Sequence, residues 1–188
     1  MDLYDRILRI VDINIIYCLF PLLLTLVLIE VFFKNRFKTK EVINFIRWFV
    51  IVYTIVTLLF YVYRLIVTTE ESAFLTRATG PYWFSYWLML FCSTLLPLSL
   101  LFERLATKRI YLLFVFLLIK VGVLLEFFTI AMVSFHRDYL SEHANYDWWN
   151  SPLGIILLCF AQGFLLALVL LGVFELVEKV KLRHSSAE

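Results

Sequence analysis

Five apolar runs, roughly Ile13–Phe33, Ile43–Val67, Tyr82–Phe102, Ile110–Phe135 and Leu153–Val177, are each long enough to cross a bilayer. A spanning helix needs about 20 mostly apolar residues, since it rises about 1.5 Å per residue through ~30 Å of hydrocarbon. No backbone N–H or C=O can stay unpaired in lipid, so each run closes its hydrogen bonds within itself as a helix. The joints "KNRFKTKE", "TTEESAFLTRATGP", "ERLATKR" and "HRDYLSEHANYDWWNSP" are too short to fold alone. The expected fold is an all-α integral membrane protein: a five-transmembrane-helix bundle over residues 13–177, followed by a cytoplasmic tail at 178–188.

Composition agrees, with 63% hydrophobic and 17% charged residues, too little polar surface to face water all round. Five Gly and four Pro leave no room for a flexible linker, and no soluble domain is expected. The net charge of +2 is too small to suggest nucleic acid. Cys18, Cys92 and Cys159 all lie inside apolar runs and form no CxxC pair. They read as small buried apolar residues, with neither thiol–disulfide chemistry nor a zinc site expected, and no metal site of any kind is assigned.

Orientation follows from the basic residues. One side receives Lys34, Arg36, Lys38, Lys40, Arg104, Lys108, Arg109, Lys179, Lys181 and Arg183. The other receives Arg6, Arg9, Arg77 and Arg137 with most of the loop acids. The first side is expected to be cytoplasmic, which places the N-terminus outside and the C-terminus inside. In residues 1–12, Leu3, Ile7, Ile10 and Val11 share one helical face and Asp2, Asp5, Arg6, Arg9 and Asp12 the other. That pattern reads as a short interfacial amphipathic helix on the outer surface, or else as a frayed polar tail.

Aromatics crowd the outer boundary, among them Tyr61, Tyr82, Trp83, Tyr86, Trp87, Tyr146, Trp148 and Trp149. An interfacial belt accounts for most of them. The outer loops are also the longest and most varied, so a partner protein is expected to dock there.

Several polar residues fall inside the runs. Glu126 lies about 13 Å inward from the outer end of the fourth run. Gln162 lies at similar depth on the fifth, Ser93 and Thr94 on the third, and Thr57 on the second. A polar layer at one depth suits a proton relay or a quinol site, because each group would otherwise be unsatisfied in hydrocarbon. The bland alternative is that Glu126 pins two helices together. Lys120 is a second deep charge, about 15 Å from the cytoplasmic end and ~120° around the helix from Glu126. It needs a counter-charge from elsewhere, or it snorkels with local thinning of the bilayer.

His136, His143 and His184 all lie outside the runs, so a membrane haem with axial histidines is not expected of this chain alone. Phosphate loops, Ser/His/Asp arrangements and HExxH are absent, which leaves hydrolases and proteases without support.

Two stretches, "ESAFLTRATGPYWFSYWLMLFCSTLLP" and "IKVGVLLEFFTIAMVSFHRDYL", resemble the polysulfide reductase membrane subunit/NrfD-like family, especially the membrane subunits of alternative complex III. The first is carried by Glu71, Arg77, Gly80, Pro81, Tyr82, Trp83, Tyr86, Trp87, Phe91, Cys92 and Pro97, and the second by Gly122, Glu126, Phe128, Ser134, His136, Arg137, Asp138 and Leu140. The resemblance covers about Tyr61 to Val177 and corresponds to the family's second-half helical bundle only. Ser93 stands where the family has asparagine, Leu125 replaces a tryptophan-like position, Phe127 an arginine, and no proline follows Leu140.

The resemblance implies a membrane subunit of a quinol-linked respiratory oxidoreductase complex in a bacterial inner (cytoplasmic) membrane. Its partners would be the lipid bilayer, other membrane subunits and an outer-face iron–sulfur or haem protein. The chain would bind no cofactor alone; menaquinol or another quinol would sit at an interface. Glu126, Gln162, Ser93, Thr94, Thr57 and Lys120 are the proton-path or quinol-facing candidates. Arg77, Tyr82, Trp83, His136, Arg137, Asp138, Trp148 and Trp149 are the docking candidates. The role would be non-catalytic or partly catalytic. Two other readings stay open: a structural scaffold for an envelope complex, and a small transporter or channel.

Overall fold

A computed structural model describes residues 3–33, 37–67, 74–75, 78–80, 83–122, 125 and 152–185. Every regular element among them is helical. Four helices are long and apolar enough to cross a membrane: Arg6–Phe32, Thr39–Val67, Trp83–Leu101 and Gly154–Lys181. Their outward faces are strongly apolar, with Val52, Leu59, Ile156, Leu165 and Val169 all exposed. Such faces fit acyl chains and not water.

The expected fourth run is described only in part. It comprises α7 (Arg109–Leu118), the turn Ile119–Lys120 and the helical pair Val121–Gly122. Apart from Leu125, the rest of that run, Glu126 included, lies outside the described residues.

The first span begins earlier than its apolar run. Helix α1 (Leu3–Val11) continues through a π-helical stretch, Asp12–Ile16, and the turn Tyr17–Cys18 into α2 (Leu19–Phe32). The expected break after residue 12 is therefore a change of helical register. Pro21 supplies a reason: it has no N–H, so the Tyr17 carbonyl loses its α-helical donor. Just upstream, the Tyr17 N–H bonds five residues back to Asp12 O at 3.0 Å, and the Cys18 N–H three back to Ile15 O at 3.1 Å. Regular α spacing resumes with Leu22 N–H on Cys18 O at 2.9 Å.

The third span repeats the device around Pro97. Helix α4 (Trp83–Leu90) gives way to a π stretch, Phe91–Leu95, then to α5 (Leu96–Leu98) and a 3₁₀ turn, Ser99–Leu101. Pro97 cannot donate to Ser93 O, and the preceding Leu96 N–H reaches five residues back to Phe91 O. Pro97 thus marks a change of helical register within the span. A short α6 (Glu103–Ala106) leads into α7.

The remaining long elements are α3 (Thr39–Val67) and α8 (Pro152–Ser185). The chain divides into two compact units, Met1–Trp48 with Leu153–Glu188, and Phe49–Pro152.

In the first unit, α2 buries Leu19, Leu22, Leu23 and Leu26, and the start of α3 buries Thr39, Val42, Ile43 and Ile46. Both sets follow the i, i+3, i+4, i+7 spacing of one helical face. On α8 the buried stripe is Gly163, Ala167 and Leu171, small residues first, as close helix approach in lipid requires. Phe160 packs edge-on against Phe20 at 6.5 Å, and Phe174 against Phe45 at 5.8 Å.

In the second unit, α7 buries Leu112, Val115 and Phe116, and the turn after it Ile119, with Cys92 and Leu100 buried from the third span. The Ser99 and Tyr111 hydroxyls share a hydrogen bond of 2.5 Å. Gly122 lies so close to Met89 that a Cβ there would meet its sulfur at 2.7 Å.

Candidate functional site

A hydroxyl inside a helix always has the carbonyls three and four residues back within reach. Thr57 uses them: its Oγ1 lies 3.0 Å from both Tyr53 O and Thr54 O. Ser93 donates to Leu90 O at 3.3 Å and Thr94 to the same oxygen at 2.5 Å. These two bonds help satisfy the carbonyl end of α4 where the π stretch begins. Each of these hydroxyls donates to a carbonyl of its own helix.

Gln162 behaves differently. A glutamine amide carries two donors on a longer side chain, and this one reaches across to the first span. Its Nε2 donates to the Asn14 backbone oxygen and to Asn14 Oδ1, both at 3.1 Å. Asn14 Nδ2 in turn donates to Ile10 O at 2.8 Å. This interhelical amide pair ties α8 to the π stretch of the first span. Asn14 was not among the expected site residues; its polarity just inside the first apolar run was the available signal.

Lys120 is half-buried in the turn that follows α7. Glu126, the proposed proton-exchanging group, lies outside the described residues, as do the docking candidates Arg77, Tyr82, His136, Arg137, Asp138, Trp148 and Trp149. Trp83 is described: it starts α4, is 53% exposed, and meets Phe84 edge-on at 6.1 Å.

Around Trp83 the structure assembles an aromatic cluster. The Tyr61 and Tyr86 hydroxyls share a hydrogen bond of 2.5 Å between α3 and α4. Phe74 packs edge-on against Tyr86 at 6.1 Å and Trp87 at 6.4 Å. The Trp87 indole N–H donates to Ala78 O at 3.2 Å. A tyrosine or tryptophan with an apolar body and a bonded polar edge suits a membrane boundary. Here they also hold Phe74 and the Ala78 carbonyl against α4.

At the other end of α3, Lys38 Nζ lies 2.7 Å from Glu178 Oε1 and 3.0 Å from Glu41 Oε1. Hydrogen bonds to Glu178 and then Glu41 hold the Lys38 ammonium above the ordinary lysine pKa. All three side chains are substantially exposed, so the cluster marks where the helices reach water.

Among the described residues no three His, Cys, Asp or Glu side chains converge as a metal site. Thr57, Ser93 and Thr94 donate within their own helices, and Gln162 donates to Asn14. The chain matches no family model, no curated protein and no solved structure.

Proposed function

We propose that the chain is a membrane-embedded subunit of a larger envelope complex, and that a partner docks at the aromatic end of α3 and α4. The carrying observation is the cluster of Tyr61, Phe74, Tyr86 and Trp87, with the Ala78 carbonyl bonded to the Trp87 indole. A pre-ordered aromatic surface loses little conformational entropy on binding, and aromatic side chains dominate the energetics of protein interfaces. By the basic-residue bias this end faces outward, across a bacterial inner membrane. The two NrfD-like motifs support the more specific reading, a quinol-linked respiratory oxidoreductase in which this chain assembles the complex and Glu126 exchanges protons.

A scaffold without redox or proton role is the second reading. It is favoured by the hydroxyls of Thr57, Ser93 and Thr94, each satisfied within its own helix.

Purification of the tagged protein in mild detergent, with mass spectrometry of what accompanies it, tests both. Iron–sulfur, haem or full-length NrfD-like subunits at fixed stoichiometry support the respiratory reading; envelope proteins of other kinds support the scaffold; isolation alone overturns both. Within a respiratory complex, Glu126→Gln is expected to impair proton-coupled turnover while leaving assembly intact. Unchanged turnover would remove the role of Glu126.

A further inference from the structure

The third span ends at Leu101 and α7 begins at Arg109, so residues 102–108 turn the chain between two apolar helices at the edge of the bilayer. The turn is ordered by its own backbone. Ala106 N–H bonds to Phe102 O at 3.1 Å, Thr107 N–H to Glu103 O at 3.0 Å and Lys108 N–H to Leu105 O at 3.1 Å, and Ala106 is buried. Two kinds of side chain emerge from it. Arg104 and Lys108 are exposed cations four residues apart, followed at once by the half-buried Arg109, against a single acid, Glu103. Phe102 and Ile110, which flank them, are 68% and 83% exposed.

Charge and shape together say what covers this surface. Lys38, at a helix end in the other compact unit, is neutralised by Glu178 at 2.7 Å and Glu41 at 3.0 Å. Among the described residues neither Arg104 nor Lys108 makes an ion pair, although Glu103 adjoins Arg104. Their charge is left for an anion from outside the chain. Below the turn, Ile110, Phe114 and Leu117 are all exposed and, at i, i+4 and i+7, share one face of α7. That stripe runs from the basic turn about 10 Å toward the bilayer interior. A free phosphate ion has nothing to lay along it, whereas a phospholipid has an acyl chain.

We propose that the turn and the α7 face below it hold one anionic phospholipid, its phosphate paired with Arg104 and Lys108 and an acyl chain along Ile110, Phe114 and Leu117. A guanidinium matches two phosphate oxygens in its own plane, and an ammonium adds a point charge. A zwitterionic headgroup carries its own cation and gains less from both. The turn is ordered before the lipid arrives, so little conformational entropy is lost on binding. The inference rests on these helices crossing a membrane and is independent of any partner at the aromatic end of α3 and α4.

The test is native mass spectrometry of the full chain, purified in mild detergent, stripped of lipid and titrated with dioleoyl phosphatidylglycerol or dioleoyl phosphatidylcholine. One phosphatidylglycerol per chain is expected to bind first, with phosphatidylcholine weaker by about tenfold or more. A basic residue near the surface contributes ~1 kcal/mol toward anionic lipid, so Arg104→Gln and Lys108→Gln should each weaken that first site about fivefold and together about 30-fold. Arg104→Lys combined with Lys108→Arg keeps both charges and should retain most of the binding. Lys38→Gln should leave the site unchanged, and Ile110→Ser should weaken it. The proposal fails if phosphatidylcholine binds equally, if the double Gln variant keeps the first site, or if Lys38→Gln loses as much as the turn variants do. Displacement of the lipid by an equal concentration of inorganic phosphate would show a free-anion site and overturn the lipid assignment.

Discussion

Gly163 and Pro21 are in contact through what glycine lacks: a Cβ at position 163 would fall 2.8 Å from Pro21 Cγ and 2.9 Å from the Leu22 nitrogen. Backbone atoms cannot swing aside, so Gly163→Ala forces α8 and the first span apart. The expected cost is about 1–3 kcal/mol, the range for overpacking a tight interior. Gly172 is the internal control, since a Cβ there meets nothing within 4 Å. Gly172→Ala should be neutral or stabilise by up to ~1 kcal/mol through helix propensity. Gly122→Ala should fall between them, because the flexible Met89 side chain can move. Thermal unfolding of the three variants in one detergent checks the order.

The Gln162–Asn14 pair should show a measurable coupling. In a double-mutant cycle with Gln162→Leu and Asn14→Leu, the interaction energy is expected at about 0.6 kcal/mol, and at most ~2. Additive single effects would mean that the amides contribute separately.

Trp87→Phe keeps the ring but removes the donor to Ala78 O. Faster amide exchange and proteolysis in the segment Phe74–Gly80 are expected, with global stability lowered by roughly 1 kcal/mol. If the docking proposal holds, recovery of the partner should fall more than stability does.

Lys38 gives a pH prediction. Its folded pKa is raised, so its stabilising contribution is present throughout the neutral range and is lost as pH climbs above the ordinary lysine value. Lys38→Met should remove that alkaline decline and leave a smaller dependence on salt. The wild-type minus variant difference, followed from neutral pH into the lysine titration range, isolates it from tyrosine ionisation.

Much of the fold was legible because hydropathy acts through length alone: Ile43–Val67 and Leu153–Val177 each lie within a helix long enough to span. What pairs across helices was not. Asn14 acquires its role from Gln162, and spacing along one chain reports only neighbours three or four residues away. The hydroxyl layer shows a different limit. Depth places Thr57, Ser93 and Thr94 together, but a helical hydroxyl also has local carbonyls within reach, and depth does not say which partner it takes. The fastening of Phe74 and Ala78 to α4 was hidden for the opposite reason, since the aromatic belt made every ring there look alike.

The π stretch Phe91–Leu95 works as a phase shifter. A helix advances ~100° per residue, so one extra residue in a turn rotates everything beyond it by that amount. Before the stretch no α4 residue is buried; within and after it Cys92, Pro97 and Leu100 turn inward while Leu95 and Leu101 face out. The third span thus addresses one set of neighbours with its first half and another with its second. Insertion or deletion of a single residue here would redirect half a helix without changing its composition, its length class or its hydropathy.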